Sequence, residues 1–196
     1  MIAQAVALVL TAVFDLFILA ALVRFWMQVF RAPSRNPIAQ FSMALTDFAV
    51  KPMRRVIPGF FRLDLASLLL AWLLELLLQL SLTLLFGPGS PIDNPGSLPV
   101  LVFLAFVVLI RLSIYIFMAA IIIQAVLSWV ANHHPVMPFF DALTRPFLRP
   151  VQKVIPLIGG IDISPLFVFL FFQLLLLLVV SWLELQSARL LARALL

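Results

Sequence analysis

The sequence predicts an all-α integral membrane protein with four transmembrane helices, arranged as two parallel two-helix repeats. Hydrophobic residues make up 65% of the 196 residues and charged residues only 11%, with a mean hydropathy of +1.21. A soluble domain with so few charges could not cover its surface with polar groups. Four apolar runs are each long enough to cross a hydrocarbon core of about 30 Å. A 29-residue segment also occurs twice, once between each pair of runs.

The duplicated segment runs from Asn36 to Asp64 and again from His134 to Asp162, 98 residues later and without a gap. Ten of its 29 positions are identical. The densest match is Lys51-Pro-Met-Arg-Arg-Val-Ile-Pro58 against Arg149-Pro-Val-Gln-Lys-Val-Ile-Pro156. Such agreement in a polar, proline-bearing stretch indicates an internal duplication. We therefore predict a first repeat over residues 1–86, a polar connector over 87–99, a second repeat over 100–186 and an amphipathic tail over 187–196.

The four spans are predicted at about residues 2–23, 65–86, 100–123 and 165–184. Asp64 is placed to cap the second span, and Asp162 or Ser164 precedes a proline at the start of the fourth, which is a helix-start pattern. Within each copy of the duplicated segment, a proline opens a short amphipathic helix. Its apolar face at helical spacing is Ile38, Phe41, Leu45 and Phe48 in the first copy and Val136, Phe139 and Leu143 in the second. Later prolines are expected to end that helix and leave an extended basic strap; they are Pro52, Pro58, Pro146, Pro150 and Pro156.

The distribution of basic residues predicts the orientation in the membrane. The first loop between spans contains seven Lys and Arg residues, the second none and the third three. Because basic loops stay in the cytoplasm, loops one and three are predicted to be cytoplasmic and both termini to lie outside. Both repeats then insert with the same orientation. The net charge of +5 is explained by this topology, so we predict no nucleic-acid partner.

An amphipathic helix followed by basic residues suits an element that lies on an anionic membrane surface. We therefore predict contacts with anionic lipids, or with unidentified membrane-protein partners, and a homo-oligomer is also compatible with the sequence. The alternative is a charged loop that only fixes the orientation. The predicted contact residues are Lys51, Arg54, Arg55, Arg149 and Lys153.

These duplicated segments are similar to those of the YggT family (YlmG-like) of membrane proteins. The similarity is strongest in Thr144-Arg-Pro-Phe-Leu-Arg-Pro-Val-Gln-Lys-Val-Ile-Pro156, which leads into Gly159-Gly-Ile-Asp-Ile-Ser-Pro165. The first copy departs from the pattern, with Asp47-Phe48 where the second has Arg145-Pro146. The resemblance implies a bacterial inner-membrane protein, with links to osmotic or ion tolerance, cell division and envelope organisation, and to cytochrome assembly in plastids. It implies no substrate and no catalytic residue.

Each predicted span places one polar side chain near the same depth, and these are Asp15, Glu75, Arg111 and Gln173. Charged groups at this depth usually face a protein interior or water. We predict that Asp15 pairs with Arg111 and that Glu75 faces Gln173. One reading is a set of interhelical hydrogen bonds that fix the bundle. The other is a polar layer around an ion or proton path, in which Glu75 titrates.

Other candidates for chemistry are weaker. The chain has no cysteine, which excludes disulfides and thiol catalysis. The adjacent His133 and His134 lack a third ligand at a suitable spacing, and no nucleophile motif surrounds Ser128 to make a triad with His133 and Asp141. We therefore predict no catalytic residue, no metal site and no cofactor. The predicted function is a non-enzymatic scaffold or assembly factor; the alternative is a small transporter or channel component in ion or osmotic homeostasis.

Overall fold

The computed structural model describes residues 1–57, 63–87, 96–130, 134–155 and 162–195, and their regular structure is helical. Four helices are long and apolar enough to cross a membrane, so the predicted all-α class with four spanning helices is confirmed. The fourth is continuous from α6 through one π turn, Leu176–Val180, into α7. The helices are α1 (Ile2–Val29), α2 (Pro37–Val56), α3 (Leu65–Phe86), α4 (Ser97–Val130), α5 (Met137–Gln152), α6 (Ser164–Leu175) and α7 (Ser181–Leu195).

Three of the spanning helices extend beyond the ends that the sequence predicted. α1 and α4 continue past residues 23 and 123 because no proline or glycine interrupts them there. Residues 187–195, predicted as part of a separate tail, continue α7. At the π turn, the Leu176 carbonyl accepts from the Ser181 backbone N–H and also from the Ser181 hydroxyl at 2.9 Å. At about 1.5 Å per residue, the α6–α7 helix is longer than a hydrocarbon core.

Three prolines lie inside the connecting helices, which corrects the prediction of extended straps. α2 continues through Pro52, and α5 continues through Pro146 and Pro150. An interior proline costs roughly 3 kcal/mol, because it removes one donor and crowds the carbonyl four residues earlier. All three are exposed, so no proline ring has to fit into the packed interior. Pro58 and Pro156 lie outside the described residues. The predicted contact residues that are therefore helical are Lys51, Arg54, Arg55 and Arg149.

The two connecting helices bury different faces although their sequences are related. Phe41 of α2 is 56% exposed, whereas its counterpart Phe139 of α5 is 2% exposed. Phe41 and Phe48 of the first copy thus point outward while Ile38 is partly buried, whereas Phe139 and Leu143 of the second copy pack inside the bundle. The buried face of α2 is made of small and medium-sized side chains, namely Ala39, Ser42, Thr46 and Val50.

Each repeat is an antiparallel pair of spanning helices with its connecting helix at the same end of the bundle. α1 packs along α3, α4 packs along α6–α7, and the repeats meet where α3 packs on α4. Aromatic side chains reinforce this junction at the connecting-helix end. The Trp26 indole donates to Ser113 Oγ at 3.0 Å and its ring lies 4.8 Å from that of Phe117, while Phe30 contacts Phe147 of α5.

Candidate functional site

The connecting-helix end of the first repeat holds a network of polar and charged side chains. We call it the first-repeat network: Arg24, Thr46, Asp47, Arg54 and Asp64. Arg24 is buried near the end of α1 and donates from Nη1 to Thr46 Oγ1 at 2.9 Å and to Asp47 Oδ1 at 2.7 Å. Its Nε lies 3.6 Å from Asp64. Because a buried charge is costly unless it is paired and hydrogen-bonded, these contacts hold α1, α2 and α3 in one arrangement.

Asp64 caps α3 and is the most connected carboxylate of the network. It accepts from the Ser67 hydroxyl at 2.6 Å and from the Ser67 backbone N–H at 3.4 Å. It also accepts two hydrogen bonds from the Arg54 guanidinium. Burial alone would raise the pKa of Asp64, but the hydrogen bonds from Arg54 and Ser67 and the charge of Arg24 hold that pKa below its ordinary value. The carboxylate is therefore ionised at neutral pH.

Two of the five residues predicted to contact lipids or partners are engaged within the first repeat. Lys51 Nζ lies 2.7 Å from Asp47, and this hydrogen bond is the largest reason why the pKa of Asp47 is below its ordinary value. The hydrogen bond to Asp64 raises the pKa of Arg54. Lys51 and Arg54 are thus each paired with a carboxylate that also contacts Arg24, and their side chains stay 70% and 45% exposed. Solvent screens these ion pairs, so they reduce but do not cancel the attraction of the two cations for lipid.

The second repeat has neutral groups at the matching positions. Gln152, the counterpart of Arg54, donates to Asp162 at 2.8 Å, and Ile122 occupies the position of Arg24. The backbone N–H of Ser164, the first residue of α6, also donates to Asp162, at 2.9 Å. Burial would raise the pKa of Asp162, but the hydrogen bonds from Ser164 and Gln152 hold that pKa below its ordinary value. Asp162 therefore satisfies the start of α6 without a cationic partner.

Three of the predicted contact residues, Arg55, Arg149 and Lys153, are exposed and form no ion pair with other described residues. Arg55 and Lys153 occupy equivalent positions at the ends of the two connecting helices. Each is followed by an exposed valine, Val56 at 82% and Val154 at 81%. A cation beside an apolar side chain suits the boundary between lipid headgroups and acyl chains.

A groove of about 510 Å³ lies between α4 and α6 at the same end of the bundle. Among the described residues its lining is apolar except for Asp162, and its size is that of a small-molecule or lipid-chain site. The main apolar lining residues are Ile121, Ile122, Val126, Leu166 and Phe169. The groove runs beside Ile122, whereas its counterpart Arg24 reaches Asp64 in the first repeat.

A second polar group lies midway along the spanning helices, and we call it the mid-bundle cluster: Asp15, Glu75, Gln79, Arg111 and Glu184. Arg111 Nη1 lies 3.0 and 3.1 Å from the two carboxylate oxygens of Glu184, which links α4 to α7. Glu75 is 4% exposed and accepts from Gln79 at 2.8 Å. Asp15, Arg111 and Glu184 lie within electrostatic range of Glu75. Arg111 therefore forms one ion pair, with Glu184, and lies within electrostatic range of Asp15 and Glu75.

The structure shows neither direct pairing predicted for the polar layer. Arg111 forms its ion pair with Glu184, while Asp15 lies within electrostatic range of Arg111 without forming an ion pair with a described residue. Glu75 is hydrogen-bonded within its own helix, and Gln173 is exposed on α6. Sequence position gives the depth of a side chain but not the rotation of its helix. Glu184 lies at the predicted end of the fourth span, but α7 continues beyond it, and its carboxylate forms an ion pair with Arg111.

The described residues contain no arrangement typical of hydrolytic or metal chemistry. No three of their His, Asp and Glu side chains are grouped closely enough to hold a metal ion. The Ser128 hydroxyl donates to the Ala125 carbonyl, and Asp141 pairs with Arg145, while His133 lies outside the described residues. In the mid-bundle cluster, Gln79 Oε1 and Arg111 Nε are buried without a hydrogen-bond partner among the described residues. These arrangements hold the helices together and present cations at the connecting-helix end of the bundle.

Comparisons with known proteins agree with the repeat and the fold class. The sequence model of the CCB3/YggT family matches residues 3–85 and 103–183, once in each repeat. The chain is 36% identical to an uncharacterised protein of Pseudomonas aeruginosa over 85% of this chain and 84% of the relative. It is 33% identical to an uncharacterised protein of Vibrio alginolyticus, over 87% and 90% of the two chains. A relative named YggT in Escherichia coli K12 is 30% identical, over 82% and 81%. No solved structure matches the chain significantly.

Proposed function

We propose that this chain, which belongs to the CCB3/YggT family, is a non-enzymatic scaffold or assembly factor of the bacterial inner membrane. The basic ends of α2 and α5 bind anionic lipids on the cytoplasmic side and hold partner membrane proteins beside the bundle. In this orientation loops one and three are cytoplasmic and both termini lie outside, as the excess of basic residues in those loops favours.

The observation that carries the proposal is the matched pair of helix ends, Arg55-Val56 and Lys153-Val154. Both pairs are exposed at the same end of the bundle. Lys51 and Arg54 in the same region are ion-paired with carboxylates of the first-repeat network, whereas Arg55 and Lys153 form no ion pair with other described residues. In both repeats these cations lack an ion-pair partner among the described residues and lie next to an exposed apolar side chain. An anionic lipid surface would supply both the opposite charge and the apolar contact. Each such Lys or Arg contributes about 1 kcal/mol of attraction to an anionic leaflet.

The test compares two double substitutions that each remove two positive charges, at opposite ends of the bundle. R55Q/K153Q changes the connecting-helix end, and R189Q/R193Q changes exposed residues of α7. Each protein is placed in nanodiscs of zwitterionic lipid with a minor fraction of labelled phosphatidylglycerol, and energy transfer from tryptophan reports the enrichment of that lipid. We expect R55Q/K153Q to lower the enrichment several-fold and R189Q/R193Q to leave it close to wild type. An equal loss in both variants, or no loss in either, contradicts the proposal.

Capture of partner proteins tests the scaffold part of the proposal. A photoreactive amino acid at position 56 or 154 is expected to crosslink discrete membrane proteins in cells, and R55Q/K153Q is expected to weaken the capture. The same photoreactive group at position 190, exposed on α7, is the control. If positions 56 and 154 capture nothing beyond what position 190 captures, the helix ends bind lipid only and the scaffold function fails.

The mid-bundle cluster favours a second candidate, a small transporter or channel component in ion or osmotic homeostasis. Intramembrane carboxylates in excess of their cationic partner are typical of ion and proton pathways. Proteoliposome flux of K⁺, Na⁺ and H⁺ is measured for wild type and for Glu75→Gln, with Tyr115→Phe, which removes an exposed hydroxyl from α4, as the control. Flux that only Glu75→Gln abolishes supports transport, and the absence of flux in folded, correctly oriented wild type removes this candidate.

A further inference from the structure

One face of α3 forms the largest helix contact between the first repeat and the second. We call it the α3 face: Leu68, Trp72, Glu75 and Gln79, which follow one another at helical spacing. The Trp72 indole donates to the Val102 carbonyl of α4 at 3.3 Å. Leu68 and Trp72 pack in one hydrophobic cluster with Leu109 of α4, and Glu75 lies near Arg111. This side of α3 is therefore a protein contact surface inside the membrane.

The second repeat carries the counterpart of this surface on the fourth spanning helix. We call it the α6 face: Leu166, Leu170, Gln173 and Leu177, displaced by 98 residues from the α3 face. All four residues are exposed. Within the part of the chain that the structure describes, the α6–α7 helix does not pack on α1, so the junction between α3 and α4 is not repeated there. A contact surface of the first repeat is thus present in the second without a partner.

Gln173 gives the α6 face a polar side chain that lipid acyl chains cannot hydrogen-bond. It lies nine residues after Ser164, about 14 Å along the helix, which is within the hydrocarbon core. Its side chain makes no hydrogen bond to the described residues, and it is neighboured on its face by leucines. An amide left unpaired in hydrocarbon is unfavourable, and polar side chains of spanning helices usually bond across to another helix.

We propose that the α6 face binds the α6 face of a second copy of this chain, giving a twofold-symmetric dimer in which the two Gln173 side chains are hydrogen-bonded to each other. A second copy fits the chemistry because a carboxamide has both donors and an acceptor. Two glutamines related by a twofold axis therefore satisfy one another, and the flanking leucines pack alongside. Twofold dimers with a self-complementary patch are the commonest oligomers.

The absence of cysteine from the sequence allows a direct test by disulfide crosslinking. Full-length Gln173→Cys is oxidised in native membranes, and a disulfide requires the two Cα atoms to lie within about 7 Å. The control is Phe171→Cys, which is at almost the same depth and equally open to lipid but lies on another side of α6. Two differently tagged copies are co-expressed, so that a crosslink between copies of this chain is identified by both tags.

We expect Gln173→Cys to give a doubly tagged dimer and Phe171→Cys to give little. Gln173→Leu is expected to weaken dimerisation by about 3- to 30-fold, the range of interhelical hydrogen bonds in membranes, as measured by energy transfer between labelled copies at varied lipid-to-protein ratio. The proposal is overturned if both cysteines crosslink equally or if Gln173→Cys remains monomeric. It is also overturned if the adduct contains a different protein in place of the second tag. An unchanged thermal unfolding midpoint confirms that each exposed-site variant is folded.

Discussion

In the first repeat, the connecting helix is held by a buried arginine that reaches two carboxylates, Asp47 and Asp64. In the second repeat, Ile122 stands in place of that arginine, and the connecting helix is held by buried aromatic and aliphatic side chains such as Phe139 and Leu148. The two copies of one segment are thus held in place by different interactions. This difference determines which cations lack an ion pair. Lys51 is paired with Asp47, whereas its counterpart Arg149 has Arg145 at the position of that aspartate.

One anchoring contact is shared by both repeats. Thr46 and Thr144 are equivalent, fully buried, and each donates back to the carbonyl four residues earlier, at 2.7 and 2.9 Å. Each hydroxyl is also bonded to a side chain of the preceding spanning helix, Arg24 in one case and Gln124 in the other. The duplicated threonine therefore fixes the position at which each connecting helix packs on the preceding spanning helix. Its partner on that helix is charged in the first repeat and neutral in the second.

The largest expected effect on stability comes from removing the buried arginine that holds the connecting helix of the first repeat. Arg24→Gln leaves Asp47 with Lys51 and Asp64 with Arg54 but removes the buried cation that joins them. We expect a cost of about 3–5 kcal/mol, since hydrogen bonds to charged groups are each worth about 1.5–3 kcal/mol. Ile122→Gln, the matched change in the second repeat, is expected to cost less than about 1 kcal/mol because Ile122 is half exposed. Unfolding free energies in mixed micelles check both values. Equal costs would contradict the view that the first repeat depends on its arginine.

The next largest effect on stability concerns the buried apolar side chains that hold α5 in the second repeat. Phe139→Ala is expected to cost about 2–3 kcal/mol, below the usual loss for a core phenylalanine because lipid is nearly as apolar as the core. Phe41→Ala, its counterpart on the exposed face of α2, is expected to change the unfolding free energy by less than about 0.5 kcal/mol. The same denaturation experiment measures both. A larger loss for Phe41→Ala would mean that α2 packs through the face that the sequence predicted.

These differences show where sequence reasoning succeeds and where it stops. Apolar length predicts the four spanning helices, and the gapless duplication predicts two repeats, because both depend on the chain alone. The role of Arg24 could not be predicted, since a basic residue at the end of a span usually faces the interface. Its separation from Asp47 is long in sequence and short only once α2 folds back. The cap formed by Asp64 could be predicted, because Ser67 follows it at the i+3 spacing of a helix start. The pairing of Arg111 with Glu184 could not be predicted, because it depends on helix rotation and on the length of α7.

A moderate effect is expected when the network is titrated with acid. The folded-state pKa of Asp64 is lowered, so its stabilising contribution is present above the unfolded pKa of about 3.9 and is lost as pH falls through the folded value. Stability should therefore fall below about pH 4, less steeply in Asp64→Asn than in wild type. Asp162→Asn should alter the slope less, because Asp162 meets an amide and a backbone N–H rather than two guanidinium groups. Unfolding midpoints between about pH 3 and 7 test this, and equal slopes for the two variants would contradict it.

The smallest effect comes from exchanging the neutral and charged partners of the two capping aspartates. Arg54→Gln gives the first repeat the amide of the second, and Gln152→Arg does the reverse. Because the Arg54 side chain is 45% exposed, solvent screens its ion pair, and we expect a loss of only about 0.5–1 kcal/mol; Gln152→Arg should gain less than that. Thermal unfolding at low and high salt is the measurement, and only the variants carrying an arginine at this position should respond to salt. A loss above about 2 kcal/mol for Arg54→Gln would mean that Arg54 and Arg24 act together on Asp64. In that case the first repeat would be held by one cooperative network rather than by a single buried arginine with a screened neighbour.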